Sequence, residues 1–140
     1  MSGVFRDNRI LLVRERSGGL WTLPGGYADV NDPPAEAVVR EIREEAGFET
    51  RVVKLAALYD RERHPHPPMT FHVYKVFLCE ITGSGRSDGH ETDDMEFSLS
   101  NDCRHCRRRA WSEARSRECL TIIRTRRNEP ASTEWLDGVG

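Results

Sequence analysis

Short apolar runs separated by polar stretches predict a protein built largely from β-strands. Residues 3–5 and 10–13 are apolar, and the polar residues between them indicate a tight turn that joins two strands. Residues 64–68 contain three prolines and residues 83–90 are rich in glycine and polar residues, so both segments are predicted to be loops. The predicted strands cover residues 3–5, 10–13, 20–23, 50–59, 70–81 and a short segment near 95–99.

One helix is marked by apolar residues at helical spacing. Asp32 followed by Pro33 predicts its start, because an aspartate can cap free N–H groups and a proline has its φ angle already set. Gly47 predicts its end. The apolar residues of its predicted core face are Ala35, Val38, Val39, Ile42 and Ala46. Strands that enclose one helix predict an α/β fold of the α+β type, in which a mixed sheet packs against helices.

Composition and charge narrow the class of protein. A chain of 140 residues, 37% of them hydrophobic, suits one domain with a real core. Its 21 basic and 23 acidic residues nearly balance, which gives no reason to expect a nucleic-acid partner. The longest aliphatic run, residues 10–13, is far shorter than the ~20 residues of a membrane span, and no signal-peptide pattern is present. Four cysteines without a secretory context predict reduced thiols and a cytoplasmic protein.

Three glutamates on the predicted helix are the strongest candidates for chemistry. Glu41, Glu44 and Glu45 stand at positions i, i+3 and i+4, which places their carboxylates side by side. Their centre lies roughly 120° around the helix from the apolar face, so they point away from the core. The mutual repulsion of three carboxylates is relieved if a divalent cation such as Mg²⁺ or Mn²⁺ binds there. From the spacing alone, a solvated acidic face and a metal site both stay open.

The residues around the glutamates follow a longer pattern. From Gly26 the chain has five residues, Asp32, seven further residues, and then Arg-Glu-Ile-Arg-Glu-Glu-Ala-Gly-Phe at residues 40–48. This stretch closely resembles the signature of the Nudix hydrolases, in which a glutamate stands at the position of Asp32. The similarity includes Leu-Pro-Gly-Gly at residues 23–26 and covers roughly residues 3–99.

The resemblance implies a Nudix fold, in which a mixed β-sheet is sandwiched between helices. It also implies Mg²⁺ or Mn²⁺ as the cofactor, with Glu41, Glu44 and Glu45 as metal ligands and catalytic residues. In this family the metal neutralises phosphate charge and activates a water that attacks phosphorus. Arg40 is expected to orient the carboxylates, the alternative being an ordinary surface ion pair with Glu44. Asp32 either reaches the metal through water or only caps the helix.

The implied activity is that of a Mg²⁺-dependent pyrophosphohydrolase. Gly25 and Gly26 are expected to bind substrate by letting the backbone approach the metal site closely. The resemblance around residues 23–30 and around Tyr59, Asp60 and Arg61 favours a nucleoside diphosphate linked to another group, either ADP-ribose-like or CDP-alcohol-like, with Arg61 as a substrate-binding residue. Two alternatives stay open: a house-cleaning nucleoside triphosphate pyrophosphatase, and a non-catalytic module that only binds a nucleotide. The expected partner is a small nucleotide, with no nucleic acid and no membrane, and a homodimer is left open.

The general base is expected from the loop that precedes the last predicted strand. In several Nudix groups this base is a loop carboxylate outside the signature. The candidates in this chain are Glu91, Asp93 and Asp94, with Glu91 slightly favoured.

The balance of acidic and basic residues changes near residue 100. Residues 1–100 carry 12 basic and 17 acidic side chains, whereas residues 101–140 carry nine arginines and six acidic residues. The Nudix domain is therefore predicted to span residues 1–100. For residues 101–140 two interpretations stay open: a poorly ordered Arg-rich tail, or the product of a one-base frameshift near residue 98. The basis of the frameshift interpretation is the coding sequence read from the third base of each codon, in which residues 102–109 permit the family-like stretch Leu-Pro-Pro-Leu. This interpretation predicts sparse buried contacts beyond residue 100.

Overall fold

Secondary structure in the computed structural model is described for residues 1–19, 21–60, 73–84, 92–99 and 121–129. The first four ranges hold the elements β1 (Ser2–Arg6), β2 (Arg9–Glu15), β3 (Trp21–Thr22), α1 (Pro34–Ala46), β4 (Phe48–Asp60), β5 (Val73–Ser84) and β6 (Thr92–Leu99). A second helix, α2, covers residues 121–127. None of the helices in these ranges is long and apolar enough to cross a membrane.

The β1–β2 hairpin confirms the first predicted turn. Its two loop residues, Asp7 and Asn8, have φ angles of 48° and 63°. Asp and Asn tolerate this left-handed region better than most residues, and two such residues form the turn that best matches the twist of a hairpin. The adjoining strands pair in the register Phe5 to Ile10 and Arg6 to Arg9.

The strands form a mixed sheet in the order β3-β2-β1-β5-β4, with β6 paired to β2. β1 and β5 run parallel, whereas the β1–β2, β2–β3, β2–β6 and β4–β5 pairs are antiparallel. β6 pairs with β2 along the whole of residues 9–15. Because a strand has only two edges, β1 and β3 must share the other edge of β2, one at each end.

Both faces of the sheet carry a hydrophobic core, and β2 contributes to each. Ile10 and Leu12 belong to one core, Leu11 and Val13 to the other, and all four are at most 2% exposed. A strand that is covered on both faces needs apolar residues at every position, which explains the uniform run at residues 10–13. α1 covers the face of Leu11 through its buried residues Val38, Ile42 and Ala46.

The opposite face is covered in part by α2. Ile123 is fully buried there and packs in one cluster with Ile10 and Leu12. The contact is close, since a Cβ added to Gly3 of β1 would lie 2.5 Å from Ile123 Cγ2. Within residues 121–129 only Ile123 is buried, Ile122 is partly buried and the other seven residues are exposed, so the expectation of sparse buried contacts beyond residue 100 stays a prediction. The domain boundary near residue 100 and the frameshift stay predictions.

The predicted mixed sheet packed against helices is confirmed, while several element bounds differ from the sequence-based expectation. β6 begins at Thr92 rather than near residue 95, because pairing with β2 holds its polar start in the ladder. β5 continues through Ser84 into the segment predicted to be a loop. The helix begins at Pro34, with Pro33 at the N-cap position and no side-chain capping hydrogen bond, so the predicted cap by Asp32 is wrong.

Candidate active site

A bend at Pro24 followed by Gly25 and Gly26, called the Gly-Gly turn, forms one wall of the candidate site. The backbone N–H and the hydroxyl of Ser2 both donate to the carbonyl oxygen of Pro24, at 2.8 and 2.9 Å. Gly25 has a φ of 144°, and a Cβ on it would lie 2.5 Å from the Cα of Met1. Only glycine fits this position without moving the backbone of the first residue.

The helix glutamates face this turn. The N–H of Gly25 donates to Oε2 of Glu45 at 2.9 Å. Glu41 lies beside the next residue, because a Cβ on Gly26 would be only 2.8 Å from both Cδ and Oε2 of Glu41. Two of the three signature glutamates thus contact the two glycines, and α1 is joined to the turn through the carboxylates themselves.

Arg40 and Asp32 form an ion pair beside the signature glutamates. Arg40 Nη1 donates to Asp32 Oδ2 at 2.7 Å, and about a third of each side chain is exposed. The pKa of Arg40 is raised, first by this hydrogen bond and the charge of Asp32, and further by the charges of Glu41 and Glu44. Asp32 therefore binds the signature arginine instead of capping the helix, which ties the segment before α1 to its acidic face.

The C-terminal end of α1 is fixed by two contacts that also set the position of Glu45. Gly47 adopts a left-handed conformation with φ 70°, and its N–H donates to the carbonyl of Arg43 at 2.9 Å. The hydroxyl of Thr92, at the start of β6, donates to the carbonyl oxygen of Glu45 at 2.8 Å. Neither Thr92 nor Ser2 stands out in the sequence, since each is an isolated small polar residue whose partner is set by strand packing.

The chemistry of these side chains fits a divalent cation. Glu41, Glu44 and Glu45 are half-buried on one side of α1, and carboxylate oxygens are the ligands that Mg²⁺ prefers. The missing Cβ of Gly26 leaves space that the Glu41 carboxylate uses. Among the described residues, no three His, Cys, Asp or Glu side chains converge closely enough to hold an ion as they lie. Glutamate torsions rotate readily between staggered positions, so a cation would gather the carboxylates from these starting points.

Of the remaining predicted site residues, Asp94 alone has a described side chain. Arg61 and Glu91 lie outside the described residues, as does the side chain of Asp93. Asp94 forms an ion pair with Arg14 on the neighbouring strand β2, with an N–O distance of 3.7 Å and about half of its side chain exposed.

Comparison with known proteins places these features in a family. The family model of the NUDIX domain matches residues 2–102. YjhB of Bacillus subtilis is 46% identical over 95 residues, which are 67% of this chain and 46% of that protein. Its name assigns it provisionally as an ADP-ribose pyrophosphatase. An ADP-ribose pyrophosphatase of Methanocaldococcus jannaschii is 33% identical over 98 residues, covering 66% of this chain and 55% of that protein. The chain thus spans about half the length of these relatives.

Solved structures agree with the sequence relatives. An ADP-ribose pyrophosphatase from Streptococcus suis superimposes with a TM-score of 0.75 at 26% identity, covering 91% of this chain and 89% of that one. A UDP-X diphosphatase superimposes with a TM-score of 0.70, also at 26% identity, covering 92% of this chain and 62% of that one. The signature glutamates against a Gly-Gly turn, the mixed sheet between helices and the match over residues 2–102 lead to one conclusion: the chain belongs to the Nudix hydrolase family.

Proposed function

We propose that this chain hydrolyses the diphosphate linkage of a nucleoside diphosphate joined to another moiety, with ADP-ribose-like or CDP-alcohol-like compounds as substrates. The observation that carries the proposal is the contact between the α1 glutamates and the Gly25–Gly26 turn. Two carboxylates and a backbone without side chains lie together there, as a site for a metal-bound diphosphate requires. Relatives named as ADP-ribose pyrophosphatases support the substrate class.

The side chains of the site have different roles. Glu41, Glu44 and Glu45 would hold Mg²⁺ or Mn²⁺, which when bound supplies charge neutralisation for the diphosphate and a more acidic coordinated water. Asp32 holds the guanidinium of Arg40 beside these carboxylates, where its charge offsets part of their mutual repulsion. Hydrolysis adds water across the P–O–P bond, so that ADP-ribose would give AMP and ribose 5-phosphate.

Two roles in the proposal rest on the family resemblance alone. Glu91 is assigned as the general base that takes a proton from the attacking water. Arg61 is assigned as a substrate-binding residue. We also place the protein in the cytoplasm, where the thiol of Cys79 would stay reduced.

The test compares substrates and cations on the purified chain. ADP-ribose, CDP-choline and 8-oxo-dGTP are incubated with the protein, and the products are separated by chromatography. We expect the highest kcat/KM on ADP-ribose or CDP-choline, complete loss of turnover in chelator, and recovery with Mg²⁺ or Mn²⁺. Glu44→Gln and Glu45→Gln should each lower kcat by at least ~10²-fold, because each removes a ligand charge from the metal site. Glu49→Gln, an exposed carboxylate on β4, is the matched control and should leave kcat unchanged.

Each other outcome favours a different function. Preference for 8-oxo-dGTP would identify a house-cleaning triphosphate pyrophosphatase. Nucleotide binding without turnover of any substrate would identify a non-catalytic module. Turnover that resists chelator, or full activity in Glu45→Gln, would contradict the metal site itself.

A further inference from the structure

Two buried hydroxyl groups hold Glu45 in place. That of Thr92 bonds to Glu45 directly, and that of Ser2 acts through the peptide group between Pro24 and Gly25. On one side the carboxylate of Glu45 accepts the N–H of Gly25, and on the other its backbone carbonyl accepts the hydroxyl of Thr92. Ser2 stands behind Gly25, since its hydroxyl and N–H hold the preceding carbonyl of Pro24. Ser2 is 0% exposed and Thr92 is 5% exposed, so water does not replace these bonds.

The bond from Thr92 fixes where the helix presents Glu45. The last four carbonyl groups of an α-helix have no partner within the helix, and Glu45 is the residue before the last one of α1. Thr92 fills this vacancy from another element, β6, which is itself held along β2. The Cα of Glu45 therefore cannot shift relative to the sheet without leaving a buried hydroxyl and a helix carbonyl unpaired, which is unfavourable.

The bonds from Ser2 fix where the carboxylate of Glu45 ends. Both donors of Ser2 hold one oxygen, that of Pro24, and the N–H of the same peptide group belongs to Gly25. Because the peptide unit is planar, holding the carbonyl of Pro24 also sets the direction of the Gly25 N–H. That N–H in turn sets the orientation of the Glu45 carboxylate at 2.9 Å.

We propose that Ser2 and Thr92 are positioning residues that orient Glu45 for binding a divalent cation. Ser2 acts through the Pro24–Gly25 peptide, and Thr92 acts through the helix backbone. The inference rests on the proposed function in one respect, which is that Glu45 is a cation ligand. Residues that orient a metal ligand from behind typically change metal affinity by 10- to 100-fold when they are removed.

The experiment measures Mn²⁺ binding directly, by calorimetry and by the loss of the free Mn²⁺ electron paramagnetic resonance signal, together with the melting temperature without metal. Thr92→Val removes the hydroxyl at nearly constant volume and should weaken Mn²⁺ binding about 10-fold. Thr92→Ser keeps the hydroxyl and should restore most of the affinity. Thr50→Val is the matched control: Thr50 is also a buried strand threonine, but its hydroxyl has no hydrogen-bond partner among the described residues, so Mn²⁺ affinity should not change.

Ser2→Ala gives an independent answer if Thr92→Val does not fold, because it removes only one oxygen and leaves the backbone bond to Pro24 in place. It too should weaken Mn²⁺ binding about 10-fold. A folded Thr92→Val or Ser2→Ala that lowers the melting temperature but binds Mn²⁺ as the wild type does would overturn the proposal, since the hydroxyl would then be purely structural.

Glu45→Gln separates this result from a failure of the proposed function. Weakened Mn²⁺ binding in Glu45→Gln with unchanged binding in Thr92→Val refutes the positioning role alone. Unchanged binding in Glu45→Gln refutes Glu45 as a cation ligand, and the positioning role falls with it.

Discussion

Replacing Gly26 with alanine adds one methyl group directly against the carboxylate of Glu41. The added Cβ would lie 2.8 Å from Cδ and Oε2 and 3.0 Å from Oε1 of Glu41, whereas ordinary contact begins at 3.4 Å. Unlike Gly25, Gly26 does not have a positive φ, so alanine fits its backbone without strain. The three nearest atoms all belong to the end of one flexible side chain, which must retreat by roughly half an ångström.

The displacement of Glu41 should lower kcat and leave the free energy of unfolding nearly unchanged. Rotating Glu41 off its preferred torsions costs about 0.5–1.5 kcal/mol, while exchanging glycine for alanine returns about 0.4–1 kcal/mol by restricting the unfolded chain. These terms nearly cancel, so the free energy of unfolding should change by less than ~1 kcal/mol. A catalytic group misplaced by about 1 Å can cost ~10²-fold in rate, so we expect kcat to fall between about 10-fold and 100-fold.

The assay combines steady-state kinetics on the preferred substrate with urea unfolding of the same samples. Gly83→Ala is the matched control, because its Cβ would lie 3.6 Å from Glu49, an ordinary contact, and kcat should not change. Gly25→Ala should lose both stability and activity, since its methyl group meets the backbone of Met1 and its φ is strained. A Gly26→Ala variant with kcat within twofold of the wild type would refute the placement of Glu41 against the turn. A large loss of stability in that variant would show that the turn, and not the carboxylate, had moved.

Three further predictions concern other parts of the chain, and a fourth concerns its coding frame. Ile123→Ala should destabilise the domain by about 2–4 kcal/mol in urea unfolding, because Ile123 is fully buried against β1, and an unchanged midpoint would mean that α2 does not pack there. Asp32→Asn should lower kcat by about 10-fold or less with little change in melting temperature, since the pair with Arg40 is partly exposed. A loss of unfolding free energy as large as the loss of activation free energy would contradict an orienting role for Asp32. Burial raises the pKa of Cys79 to about 11, so its alkylation at pH 8 should be far slower than that of an unfolded cysteine by peptide mass mapping. Because the folded pKa lies above the unfolded value near 9, the stability linked to this thiol is present below pH 9 and lost as the pH rises toward 11. Resequencing the coding region for residues 97–140, with the intact mass of the protein, tests the frameshift, which an uninterrupted frame would exclude.

Local signals in the sequence were enough for the parts of the fold that depend on neighbours along the chain. Asp7 and Asn8 favour the conformation of the hairpin that they form, and α1 ends at the glycine that the pattern indicated. The signature glutamates were located by spacing alone, because positions i, i+3 and i+4 share one side of any helix. These features need no knowledge of which elements come together.

Contacts between distant segments could not be predicted in this way. Thr92 bonds to Glu45 across 47 positions of the chain, and Ser2 bonds to Pro24 across 22, so both depend on the packing of the sheet. Asp32 looked like a helix cap because Pro33 follows it, yet the signature arginine offers its carboxylate a charged partner. The sequence did not identify Ile123 as a core residue, because two apolar residues among arginines show no helical periodicity. Ile123 is buried because Gly3 has no side chain and leaves room for it on the sheet.

The enclosure of β2 has a consequence for how the protein opens. Its residues 10–13 are covered on both faces, and its two edges are occupied by β6 on one side and by β1 and β3 on the other. Backbone amides of such a strand reach solvent only when the whole domain unfolds, so their hydrogen exchange reports the global free energy of unfolding. The amide of Gly25 is held by a single side chain at the partly buried rim and can exchange through a local opening. The ratio of the two exchange rates would therefore measure how much more easily the candidate site loosens than the framework beneath it.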